Sequence, residues 1–202
     1  MARWVELLGI VVFCGFSSVF GMQTHALWSG IWDVPTVVAS AVAAYAAADF
    51  VSGMVHWFCD NFFSEDTPLL GRLIGPFREH HRDPTGIARR SIAEVSNSSC
   101  WGVIGTYCLV LSGGLPDSLF ASTFWLGFGC SVYLTNAVHR WTHSSRVPRA
   151  VVWLQGARVF MRPDAHDRHH RTGTAAYCVL AGWLNPLLDA IAEPRRSMPR
   201  RG

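Results

Sequence analysis

Nine histidines punctuate this chain of 202 residues, and eight of them fall in four clusters: His56; His80 and His81; His139 and His143; and His166, His169 and His170. Imidazole is a ligand for zinc, copper, iron and nickel, so the residue type points to metal without choosing which. His139 and His143 stand four apart, which puts both on one face of a helix. In the run His166-Asp167-Arg168-His169-His170, offsets of three and four bring His166 beside both later histidines if the segment is helical. Adjacent histidines such as His80 and His81 diverge by about 100° on a helix, so such a pair reaches two different ions more readily than one. A tetrahedral zinc site takes about four protein ligands. Eight imidazoles exceed that and favour two ions, each with several nitrogen ligands.

The first histidine belongs to a polar stripe. Asp49, Ser52, Gly53, His56 and Asp60 recur at spacings of three and four, hence along one helix face. Asp49 lies well inside an apolar run, where a charge costs about 2.5–3.5 kcal/mol on insertion scales. Asp60 is placed to accept the second N–H of a ligand imidazole and fix its tautomer, as outer-sphere carboxylates do. Asp49 and Asp60 are therefore expected to support the ligands from behind. The small residues of Ala39–Ala48 read first as a surface for close helix packing, and second as a slot for an alkyl chain.

These residues need elements that hold them, and the composition says where those elements lie. Half of the residues are hydrophobic and 15% are charged, against about 25% charged in soluble domains. Four apolar stretches approach the roughly 20 residues that cross a bilayer: Val5–Met22, Val34–Phe58, Ser98–Leu115 and Leu119–Val138. The first also resembles a secretory signal peptide, but no small-x-small cleavage site follows closely, and retention is the preferred reading. All 17 basic residues are arginine. They precede the first stretch, lie between the second and third, or follow the fourth. By the positive-inside rule all of them, and with them the eight clustered histidines, fall on the cytoplasmic side. His25 alone falls opposite.

The fold class expected is thus an all-α membrane protein with about four transmembrane helices and a cytoplasmic histidine-rich cap. Val147–Met161 and Ala175–Ala192 read as interfacial helices of that cap. Residues 1–33 would form the first transmembrane helix and a non-cytoplasmic loop, 34–192 the functional domain, and 193–202 a disordered tail. The six cysteines contain no CxxC pair and read as packing residues, which excludes a disulfide framework or a thiolate zinc site. A formal charge of +3, without base-stacking motifs, excludes nucleic acid as a partner.

Several of these segments resemble the lipid desaturase (Kua) domain family. The run Asp49-Phe50-Val51-Ser52-Gly53-Met54-Val55-His56-Trp57 with Asp60 looks like the start of that domain. Pro76-Phe77-Arg78-Glu79-His80-His81-Arg82-Asp83-Pro84-Thr85 is similar to the plasmanylethanolamine desaturase branch, not the plastid phosphatidylglycerol branch. Thr135-Asn136, His139 to His143, His166 to His170 and Gly182-Trp183-Leu184-Asn185 continue the likeness, which covers about residues 34–190. Departures are Val95-Ser96-Asn97-Ser98-Ser99 after Glu94, Gly156-Ala157-Arg158 after Leu154-Gln155, and Ala165 where relatives carry a further histidine.

The resemblance implies that His56, His80, His81, His139, His143, His166, His169 and His170 hold two iron ions. It also implies that the reaction consumes O2 and two electrons, and that the substrate is an ether phospholipid converted to the vinyl ether of a plasmalogen. No nucleotide-binding glycine fingerprint, haem motif or iron–sulfur cysteine set occurs, so electrons come from an external donor such as cytochrome b5 or a ferredoxin. Arg78, Arg82, Arg89 and Arg90 are candidates to hold a phosphate headgroup. The expected location is a multi-pass membrane protein with its site facing the cytoplasm, in the endoplasmic reticulum of a eukaryote or the plasma membrane of a bacterium. Desaturation of a phospholipid acyl chain, lipid hydroxylation at the same metal centre, and a membrane metal-binding or transport role stand as alternatives.

Overall fold

In a computed structural model of the chain, residues 3–192 are described; the expected tail 193–202 lies outside them. The described residues are helical, with no strand. Two compact units share the described residues: 3–48 with 90–137, and 49–89 with 138–192.

The first unit contains α1 (Arg3–Leu27), the N-terminal part of α2 (Val34–Asn61), α5 (Ile92–Ser112) and most of α6 (Leu119–Thr142). Between α1 and α2 a turn is closed by Asp33, whose Oδ2 accepts from the Ser29 amide at 2.6 Å and its hydroxyl at 2.8 Å. Helix α5 begins at a Ser-x-x-Glu box: the Ser91 hydroxyl accepts from the Glu94 amide at 3.1 Å. Phe13 and Phe20 of α1 bury against Cys100, Val103, Ile104 and Tyr107 of α5. Polar ties accompany them: Asn136 donates to the Val95 carbonyl and Ser99 hydroxyl, both at 2.8 Å, and Ser122 donates to the Phe20 carbonyl at 3.1 Å. Between apolar helices such hydrogen bonds average about 0.6 kcal/mol, so apolar packing carries most of the unit.

Among the described residues, two helical segments are long and apolar enough to cross a membrane, Trp4–Leu27 and Ile31–Asn61. They contain the first and second expected spans and run a few residues further at their ends. The third and fourth stretches also lie on long helices, α5 and α6. The structure ends α5 at Ser112, because Gly113 and Gly114 follow, the second with φ 101°.

In the second unit the C-terminal parts of α2 and α6 join α3 (Gly71–Arg82), α4 (Gly86–Arg89), α7 (Arg149–Gly156), α8 (Pro163–Thr172) and α9 (Asn185–Ile191). Helix α8 starts at Pro163, whose missing N–H is no loss in a first turn. It stops at Gly173, a left-handed residue at φ 64° whose amide bonds the His169 carbonyl at 2.7 Å. The expected interfacial helices need correcting. Only Arg149–Gly156 is helical within the first segment. Within the second, an irregular strap over 174–184 precedes α9. Side chains, not helical carbonyls, take up its amides.

Candidate metal centre

Eight histidines and one carboxylate of the second unit converge in two groups. The first comprises His80, His139, His143, His166 and His170; the second comprises His56, Asp60, His81 and His169. Within each group, one donor atom per residue lies within 4.8 Å of every other. Both adjacent pairs divide: His80 and His81 of α3 go to different groups, as do His169 and His170 of α8. Four elements deliver the ligands, with His56 and Asp60 on α2, His80 and His81 on α3, His139 on α6 with His143 just past its end, and the last three on α8. His25, on α1, belongs to neither group.

Hydrogen bonding alone cannot satisfy the first group. Nε2 of His139 lies 2.9 Å from Nε2 of His80 and 2.8 Å from Nε2 of His166, which itself lies 3.0 Å from Nε2 of His170. Each Nε2 has a single in-plane site, either a proton or a lone pair. Nε2 of His139 and of His166 each have two such neighbours for one site, so at most two of these three consecutive contacts are full hydrogen bonds. A cation at the centre turns every lone pair inward. Ligand nitrogens about 2.1 Å from a metal stand about 3 Å apart at right angles around it, as these do.

Two further observations fit a metal. Nε2 of His56 and Nε2 of His143 are buried without a hydrogen-bond partner among the described residues, which is costly unless something else binds them. Burial also keeps four imidazoles of the first group neutral, the form that ligates. It pushes His80 down to about 2, with His143 and His170 adding to the effect. It likewise pushes His170 to about 3, and His143 to about 4 despite the opposing charge of Asp167. His166 lies well below the ordinary imidazole value for the same reason.

Asp60 stands among the ligands. Its Oδ2 is 2.9 Å from Nε2 of His81, 3.3 Å from Nε2 of His169 and 3.4 Å from Nε2 of His56. It thus faces the atoms that would bind an ion, whereas the expected supporting role puts it behind an imidazole. That role falls to backbone carbonyls. His56 Nδ1–H donates to the Tyr177 carbonyl at 3.0 Å and His169 Nδ1–H to the Ala175 carbonyl at 2.9 Å. Both carbonyls belong to the strap, and both histidines belong to the group of four.

Asp49 touches no imidazole; it holds the strap. Its Oδ1 accepts from the Ala181 and Gly182 amides at 2.8 and 3.0 Å, and its Oδ2 from the Leu184 amide at 3.2 Å. Ser52 accepts from the Val179 amide at 3.2 Å, Asn185 from Cys178 at 2.8 Å, and Asp189 from Ala176 at 2.8 Å. Gly53 lets the strap approach α2, since a Cβ there would stand 2.6 Å from Cys178 Sγ and from Leu188 Cδ2. Asp189 escaped the sequence reading; the signal was an acid inside the apolar run Leu187–Ala192. The four arginines expected at a headgroup have partners within the chain. Arg78 donates to the Cys59 and Phe63 carbonyls at 3.1 and 3.2 Å, Arg82 pairs with Glu65 at 2.7 Å, Arg89 pairs with Asp83, and Arg90 pairs with Glu94 at 3.5 Å.

Residues 45–193 match the lipid desaturase domain. The chain belongs to the lipid desaturase family. It is 34% identical to a plasmanylethanolamine desaturase of Myxococcus xanthus over 94% of this chain and 68% of that relative. It is also 34% identical to plasmanylethanolamine desaturase 1 of Mus musculus, over 92% of this chain and 72% of the relative. A chloroplastic fatty acid desaturase 4 of Arabidopsis thaliana is 33% identical over 92% of this chain and 58% of its own length. No solved structure matches. A lipid desaturase is an oxidoreductase, and the two histidine groups of this one are compatible with a metal centre.

Proposed function

We propose that this desaturase is a multi-pass membrane enzyme that holds two iron ions and converts an ether phospholipid, plasmanylethanolamine, to its vinyl ether. The observation that carries the reading is the pair of adjoining ligand groups, five histidines beside three histidines and Asp60. Two relatives named as plasmanylethanolamine desaturases support the substrate. The balanced reaction removes two hydrogens from adjacent carbons of the alkyl chain, reduces one O2 to two waters, and takes up two electrons and two protons. Iron bound in the two groups would supply the oxidising power toward an unactivated C–H bond, which side-chain acid–base chemistry lacks.

The chain's own residues hold and orient. His80, His139, His143, His166 and His170 would carry one ion, and His56, Asp60, His81 and His169 the other. Burial keeps bulk water from His56, His139, His166 and His169. The Tyr177 and Ala175 carbonyls direct Nε2 of His56 and His169 to the ion by occupying Nδ1. Electrons arrive from an external donor of the cytochrome b5 or ferredoxin kind, which an arginine-rich face attracts when the donor is acidic. In this topology α5 and α6 also span the bilayer, and the histidine segments face the cytoplasm with the arginines.

Metal analysis and lipidomics test the reading. Purified protein should carry about two irons per chain, and cells expressing it with an ether-lipid supply should gain vinyl ether lipids. Stoichiometric zinc without iron would overturn the metal assignment. A new acyl-chain double bond with no vinyl ether would support the alternative substrate, for which the chloroplastic relatives speak. A hydroxylated lipid product would move the enzyme to a different oxidation.

A further inference from the structure

Arg158 presents a guanidinium that differs from the four already described. It has no ion-pair or hydrogen-bond partner among the described residues, whereas Arg162 beside it is neutralised by a bidentate pair with Asp164, both contacts at 2.9 Å. The two arginines line a groove of about 530 Å³ with Phe160, Ala165, Gly182 and Trp183, within the ~300–1,000 Å³ of small-molecule sites. The groove thus carries one uncompensated positive charge.

The unit that carries the groove also exposes apolar side chains suited to a membrane surface. Val152 and Trp153 on α7, Trp183 on the strap, and Leu187 and Ile191 on α9 are exposed. Tryptophans with aliphatic neighbours suit the headgroup level of a bilayer. The indole of Trp183 is pinned by its Nε1–H, which donates to the Arg158 carbonyl at 2.8 Å. Arg158 itself occupies the left-handed position after α7, at φ 58°. Glycine is the usual occupant there, and a side chain in that conformation is strained. The strain is retained at an arginine whose charge no carboxylate among the described residues answers.

The groove also adjoins the metal groups. Ala165 lines it, and the next residue, His166, belongs to the group of five. On its other wall the Gly182 amide bonds Asp49, which precedes His56 by seven residues on α2, about 10 Å along the helix axis. One wall of the groove is thus one residue along α8 from a ligand, and the other is tied through Asp49 to the helix that carries His56.

We propose that this groove seats the phosphodiester of the glycerophospholipid substrate, with Arg158 as its cationic contact. The assignment rests on the desaturase reading and replaces the four arginines expected from sequence. It favours oxidation near the glycerol end of the chain, because the metal groups lie close to the headgroup and not a chain length away.

Metal-free protein in detergent should bind a fluorescent phosphatidylethanolamine about tenfold more weakly in Arg158→Gln, a loss typical of one charge-assisted contact. Binding of the diacylglycerol with the same chains should not change. Arg158→Gly separates function from folding. It relieves the left-handed strain, so its thermal midpoint should hold or rise while phospholipid binding falls by the same factor. Unchanged phospholipid binding in both variants would overturn the proposal, as would the same loss in Arg82→Gln alone. Displacement of the lipid probe by millimolar inorganic phosphate would mark a free-phosphate site and also overturn it. Wild-type protein that binds the phospholipid through Arg158 yet lacks iron would remove the desaturase chemistry and leave the groove standing.

Discussion

At the residue scale, the centre has nine donors of two chemical kinds, and the one carboxylate sits with the smaller group. Asp60 offers an anionic oxygen where the other group offers a fifth imidazole, so the two ions would differ in net ligand charge. Asp60→Ala is expected to lower metal affinity at its group by about 100-fold or more, beyond the roughly 10–100-fold of a lost outer partner. Iron analysis should fall from about two per chain toward one. His139→Ala should have the opposite selectivity, emptying the group of five, because His139 makes two of its three closest nitrogen contacts. Equal loss of both ions in both variants would mean that the two groups do not load independently.

At the element scale, the strap over 174–184 is the device that orients half the centre. Six of its amides end on side chains of Asp49, Ser52, Asp189 and Asn185, or on Asp49 twice more. Releasing them should disturb His56 and His169 and spare the group of five. Asp49→Ala and Asn185→Ala are each expected to lower iron affinity at the group of four by about 10–100-fold, read as a changed iron spectrum at retained helix content. Iron binding identical to wild type would assign these residues to packing alone. Gly53→Ala forces a methyl into Cys178 and Leu188 and should destabilise by about 1–3 kcal/mol. The check is a lowered thermal midpoint, and an unchanged one would mean that the strap does not press on α2.

At the scale of the whole molecule, charge asymmetry predicts sidedness. No arginine occurs between the first and second apolar stretches or between the third and fourth, and 16 of 17 follow the second stretch. A cysteine introduced at the exposed Ser145 should label from the cytoplasmic side, and one at the exposed Ser29 from the opposite side. Labelling of both from one side would overturn the proposed four-span topology. The helical class and the two longest apolar helices were legible in the sequence, because hydropathy is a sum over consecutive residues and needs no tertiary partner. The strap was not legible: its apolar letters mimic a surface helix, and only side chains distant in sequence, Asp49 and Ser52, take its amides.

Local spacing determined which histidines could share a helix face, and so that His80 and His81, or His169 and His170, point to different places. It also singled out Asp49 and Asp60 as acids whose burial needs a reason. Only the tertiary structure decided what that reason is. Asp49 meets backbone amides more than 130 residues away, at Ala181, Gly182 and Leu184, and Asp60 meets Nε2 of histidines on two other helices. A helix face specifies direction, but a ligand set is a convergence of several faces. Contacts between residues far apart along the chain set that convergence, and no periodicity within one segment encodes them.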